Sequence, residues 1–168
     1  MKLFLFIALL AFSSLLGGVY GALYDQVTFS VCEEFFTKMR FEQYNIPETM
    51  SPRLAVALIG FINTWSTGLV LGFVLSLTGL LHVNERNMIK YTIQSFFIAF
   101  FTALLFGIIA YLVKDPTIMT PNSELNIVNK EGFNKVVNMN NYTYVGGIIG
   151  MFIGAGWQLY KTKQSIKN

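Results

Sequence analysis

Charge is scarce in this chain: 12% of its 168 residues are Asp, Glu, Lys or Arg, against about 25% in an average soluble domain. Cysteine and histidine are scarcer still, with one of each, Cys32 and His82. A lone cysteine excludes an internal disulfide and a thiolate metal cluster. A lone histidine excludes the paired imidazoles of common zinc and haem sites. No metal, nucleotide or nucleophile signature stands out, so no catalytic residue, cofactor or metal site is expected. The net charge of +3 and the pI near 9.0 do not describe a nucleic-acid binder, because the basic residues flank apolar runs instead of forming a solvated patch.

What the chain has in place of charge is hydrophobicity, 54% of all residues, with a positive mean hydropathy of +0.52. It is gathered into four uncharged blocks, at about 3–23, 54–81, 91–113 and 142–160. Each is long enough to span about 30 Å of hydrocarbon at about 1.5 Å per residue. The expected fold is therefore all-α, a single integral membrane domain over 1–168 built as a four-helix bundle. The first block also reads as a signal peptide, with Lys2 as its basic start and Gly17, Gly18 and Gly21 near a cleavage site. Cleavage would leave three spans. The second block is about 42 Å long as a straight helix and must tilt, kink or project. Ser51-Pro52 marks its start, since proline fits the first helical turn. Lys114-Asp115-Pro116 ends the third, and Lys161 and Lys163 close the fourth.

Charge orients these spans. Lys2, Arg86, Lys90, Lys161, Lys163 and Lys167 crowd onto short tails and one short loop (82–90), close to the block ends that the positive-inside rule counts. Lys38, Arg40, Arg53, Lys114, Lys130 and Lys135 are spread over two long loops, 24–53 and 114–141. Those loops also hold every acid except Glu85. Both termini, the 82–90 loop and the 161–168 tail are expected in the cytoplasm.

Small residues recur every four positions in block two, at Gly60, Thr64, Gly68, Gly72 and Ser76, and in block four, at Gly146, Gly150 and Gly154. Such stripes permit close backbone approach in lipid. They predict that blocks two and four pack on each other, or that one of them forms a seam between copies. No ionisable side chain lies inside a block, which disfavours ion-coupled transport and voltage sensing. Asn63 is the notable intramembrane polar residue, lining a passage or making an interhelical hydrogen bond.

The segment after block one is the richest in chemistry. Ser30 and Glu33 have capping-box spacing, predicting a short helix to about Tyr44 that lies on the outer surface or caps the bundle. Asp25, Gln26, Thr28, Glu34 and Lys38 form a candidate outer-face cluster. Asp25 could bind a cation, act as a base or anchor its loop through backbone amides. Glu34 and Lys38 have the spacing of a helix-surface ion pair. Cys32 and His82 read as a buried small side chain and a loop residue. Residues 126–137 suggest a short surface helix.

The run from Tyr24 to Tyr44 resembles the signature of a family of small, uncharacterised bacterial polytopic membrane proteins. In that pattern Asp-Gln is followed by Thr-aromatic, then Glu-aromatic-Phe-Thr-Lys and a basic-Phe-x-Gln-aromatic ending. Asp25, Gln26, Thr28, Glu34, Phe36, Thr37, Lys38, Phe41 and Gln43 match it, and a weaker likeness continues over 141–150. The sequence departs at Tyr24, where His is frequent, and at Cys32-Glu33, where Ser-Pro is expected. The resemblance implies a four-span bacterial inner-membrane protein and supplies no mechanism. The leading expectation is a structural or interaction component of an inner-membrane assembly, with the lipid bilayer, a second copy or another membrane protein as partner and no nucleic acid. The alternatives are a passive channel or small-solute permease along Asn63, Thr64, Ser66 and Thr67, and an enzyme acting on lipid headgroups with Asp25 and Glu34 as acid and base.

Overall fold

The computed structural model describes residues 1–113 and 126–167; the expectations for Lys114, Asp115, Pro116 and the rest of 114–125 lie outside them. The described residues are helical and contain no strand. The long helices are α1 (Lys2–Val31), α4 (Pro52–Gly79), α5 (Glu85–Leu112) and α6 (Lys130–Lys167). Between α1 and α4 lie two single turns, α2 (Glu33–Phe35) and α3 (Phe41–Gln43), joined by a π-helical stretch over Phe36–Arg40. Helices α1, α4 and α5 are long and apolar enough to cross a membrane, the pattern of a multi-pass membrane protein. The fourth apolar block lies within α6, which is less apolar than the other three.

Several boundaries differ from the sequence reading. Helix α1 runs past residue 23 to Val31, because the hydroxyls of Thr28 and Ser30 donate to the carbonyls of Asp25 and Gln26, and Arg53 of α4 braces this turn. The Arg53 guanidinium donates to the Gln26 carbonyl at 3.1 Å and lies 4.7 Å from the Phe29 ring centroid. Ser30 is thus inside a helix and caps nothing, so the expected capping box with Glu33 is absent. The break falls at Cys32, in extended conformation. Helix α5 begins at Glu85, so most of the expected 82–90 loop is helix. The expected surface helix at 126–137 and the fourth block form one continuous helix, about 57 Å long at about 1.5 Å per residue.

Polarity is distributed inside out relative to a soluble domain. Ser13, Ser76, Thr92, Ser95 and Gln158 are fully buried, whereas Leu3, Phe101 and Phe152 are about two-thirds exposed or more. An exterior of large apolar side chains suits hydrocarbon, and an interior of small and hydroxylated ones suits helices packed without a hydrophobic drive between them.

The small-residue stripes are used, but not on each other. Gly60, Gly68 and Gly72 of α4 face α1: a Cβ added at Gly68 would stand 2.9 Å from the Gly17 Cα, and one at Gly72 would meet Ser13 at 2.6 Å. Ser13 Oγ donates to the Gly68 carbonyl at 2.6 Å, and Thr64 Oγ1 to the Gly17 carbonyl at 2.8 Å. Gly146, Gly150 and Gly154 of α6 face α5 instead, against Phe106, Ala99 and Ser95. Ser95 Oγ donates to the Gly154 carbonyl at 2.8 Å. Both stripes are filled within the chain, which corrects the expectation that blocks two and four pack through them and leaves neither free as a seam between copies. The two pairs are joined near the Lys2 end by Gln158, whose amide donates to the Leu75 carbonyl and whose oxygen accepts from Thr92.

Candidate functional site

A cavity of about 380 Å³ lies between the α1–α4 pair and the α5–α6 pair, toward the Asp25 end. Its walls are mainly apolar, formed by Val70 and Leu71 of α4, Phe100 and Ala103 of α5, and Ile148 and Met151 of α6. Polar groups gather at one end: Asp25, Arg40, Asn63, Asn140 and Tyr144. The volume falls within the roughly 300–1,000 Å³ of small-molecule pockets, and so does the pattern of apolar walls with a few convergent polar groups. Ser66 and Val70 of α4 and Tyr144 and Ile148 of α6 line the cavity and are exposed. The cavity therefore opens sideways between α4 and α6, onto the face that the apolar exterior turns to its surroundings.

The cavity exists because the glycine contacts close each pair but not the space between pairs. Gly147 shows this directly. It is buried, yet a Cβ added there meets only the Ala103 Cβ, at 3.9 Å. At the Lys2 end the interior is filled by Leu9, Leu75, Met88 and Phe96, all buried in one cluster. The Tyr20 hydroxyl, buried along the α1 wall, has no hydrogen-bond partner among the described residues. Its neighbour Tyr24 accepts from Thr143 at 2.7 Å, which ties α1 to α6 across the cavity.

The structure disperses the expected cluster. Asp25 lines the cavity, and its carboxylate accepts no hydrogen bond among the described residues, so it does not anchor a loop. Gln26 donates to the Arg53 carbonyl at 2.9 Å and belongs to the α1–α4 brace. Thr28 is fully buried and bonded to its own helix. Glu34 makes no pair with Lys38; its carboxylate instead accepts from the backbone N–H groups of Val128 and Asn129, at 3.1 and 2.7 Å. It satisfies orphan donors at the start of α6, where negative charge is favourable. Lys38 is exposed and makes no ion pair among the described residues, whose one salt bridge joins Lys135 to Glu131. With Glu34 engaged outside the cavity, an Asp25–Glu34 acid–base pair is not assembled. Asn63 lines the cavity and accepts a hydrogen bond from the Tyr44 hydroxyl.

Sequence reasoning missed Arg40, treated only as a loop charge. The helical segment from Glu33 to Gln43 folds over the Asp25 end, with Phe35 and Phe36 buried against Phe29, Val56, Phe133 and Val136. This carries Arg40 into the mouth, its guanidinium 5.2 Å from the Phe35 centroid and donating to Gln43 at 3.0 Å. His82 was also missed. It is fully buried in the α4–α5 turn, Nδ1 3.1 Å from Thr162 Oγ1. The Thr162 proton goes to the Gln158 carbonyl at 3.0 Å, so the Nδ1–H of His82 is the donor of that contact. Burial holds the His82 pKa below its usual value, and the charge of Lys2, which donates to the His82 carbonyl at 2.7 Å, lowers it further.

No group of three or more His, Cys, Asp or Glu side chains arranged to hold a metal occurs among the described residues. Comparison of the chain with models of protein families, with curated proteins and with solved structures finds no match.

Proposed function

We propose that this chain is a non-enzymatic component of a bacterial inner-membrane assembly, whose working part is a bilayer-facing cavity that holds a lipid-like amphiphile. In this reading α6 is the fourth span of a four-helix bundle, both termini are cytoplasmic, and the Asp25 end faces away from the cytoplasm. The crowded basic residues at the Lys2 end support that orientation, and the Tyr24–Tyr44 signature supports the bacterial placement.

The cavity's combination of apolar depth, polar mouth and sideways opening carries the proposal. An acyl chain entering between Val70 and Ile148 would bury apolar surface against Leu71, Phe100 and Met151 while its polar end stays among Asp25, Arg40 and Asn63. A passive channel is less well supported: the Asn63–Thr67 stretch does line the cavity, but the buried layer of Leu75, Met88 and Phe96 lies beyond it.

Gly147→Leu tests the reading. The new side chain projects into the cavity without striking a neighbouring helix, so the protein should assemble normally and lose its co-purifying amphiphile. Lipid extraction from protein purified in mild detergent, followed by mass spectrometry, measures this. Equal amounts of the same lipid in both proteins would refute it.

A further inference from the structure

The mouth of the cavity carries two charges of opposite sign that do not neutralise each other by contact. Asp25 and Arg40 both line it and lie within electrostatic reach, yet the one ion pair among the described residues is elsewhere. The Asp25 carboxylate accepts no hydrogen bond there. Arg40 spends one of its five donors on Gln43 and rests a face on Phe35, which leaves the rest of the fork for a ligand.

Resting on the amphiphile reading above, we propose that the cavity selects a zwitterionic phospholipid whose headgroup ends in a primary ammonium, with its phosphate on Arg40 and its ammonium on Asp25. An anionic headgroup without an ammonium would satisfy Arg40 and set a negative charge against Asp25. A headgroup without phosphate would leave the guanidinium unpaired at a partly buried site, where an unpaired charge is costly. A quaternary ammonium has no N–H to donate, so it cannot give the carboxylate the charge-assisted hydrogen bond that a primary one gives.

Depth along α1 fits the same ligand. The unpartnered Tyr20 hydroxyl lies five residues from Asp25, about 7.5 Å deeper at about 1.5 Å per residue. It is a donor below the charged groups and above the apolar floor, where the ester carbonyls of a phospholipid lie. Acyl chains then run past Leu71 and Met151, leaving through the opening between Val70 and Ile148.

The test is competition by native mass spectrometry on the full chain in mild detergent. Equimolar phosphatidylethanolamine, phosphatidylcholine, phosphatidylglycerol and diacylglycerol of identical acyl composition are offered together. The wild-type protein should retain the ethanolamine lipid over each of the others by about tenfold, the scale of one hydrogen bond to a charged group. Asp25→Asn should bring the ethanolamine-to-choline ratio close to one. Arg40→Gln should remove the advantage of phospholipids over diacylglycerol. Retention of all four lipids alike by the wild-type protein would overturn the headgroup inference while leaving the amphiphile reading in place. Retention of none, with Gly147→Leu indistinguishable from wild type, would overturn both. The wild-type ranking is decisive even if Asp25→Asn fails to fold, and Arg40→Gln tests the other half of the mouth separately.

Discussion

Gly68→Ala is expected to weaken the protein although it adds a single methyl group to a helix. A Cβ at position 68 would stand 2.5 Å from the Ser13 carbonyl oxygen and 2.9 Å from the Gly17 Cα, where carbon contacts are comfortable at about 3.5–4.0 Å. The obstructing atoms are backbone and cannot rotate away, so α1 and α4 must separate by roughly 1 Å at their crossing. Overpacking of this kind costs about 1–3 kcal/mol. Separation also stretches the 2.6 Å bond from Ser13 Oγ to the Gly68 carbonyl, and intramembrane hydrogen bonds average about 0.6 kcal/mol. The better helix propensity of alanine returns up to about 1 kcal/mol, leaving a net loss of about 1–3 kcal/mol. Gly156→Ala supplies the control, because residue 156 is exposed and an added Cβ meets nothing within 4 Å. It receives the propensity gain alone and should stabilise. Both are read by sodium dodecyl sulfate titration in mixed micelles, following helicity. If Gly68→Ala unfolds at the same or a higher denaturant fraction than Gly156→Ala, the close α1–α4 crossing is wrong.

Glu34→Ala should cost about 1 kcal/mol, the scale of a lost helix cap, with faster amide exchange concentrated at Val128 and Asn129. Exchange unchanged at those two amides would contradict the assigned role. Thermal stability should be level above about pH 6.5 and decline as pH falls below it, since the unfolded chain protonates His82 near its usual value of 6.5 while the folded chain resists, so acid favours the unfolded state. His82→Gln should flatten that slope, and an unaltered slope would remove His82 as its origin.

The helical class and the three most apolar helices were legible because long uncharged runs leave no other way to satisfy backbone polar groups in lipid. Helix ends were less so: Asp25 and Gln26 signal an exit from hydrocarbon, but only the distant Arg53 reveals why the helix continues to Val31. The glycine stripes announced close approach without naming the partner, because a stripe states what a face permits and not which neighbour takes it. That is why α4 was assigned to α6 and packs on α1. Asp25 and Asn63 were recognisable as polar residues at an apolar boundary. Arg40 was not, since it reaches the mouth only when Phe35 and Phe36 dock against Phe29, Val56 and Phe133. The cavity itself left no mark in the sequence, being defined by side chains that fail to meet.

The most direct measurement of the central claim is photocrosslinking in native membranes with a phospholipid bearing a diazirine near the end of its acyl chain, followed by mapping of the labelled peptides. The account predicts label on Leu71 and Met151, inside the cavity, and its loss in Gly147→Leu while label on the outward-facing Phe101 and Phe152 persists. Label confined to the outward faces in the wild-type protein, with Gly147→Leu indistinguishable from it, would contradict a lipid-holding cavity.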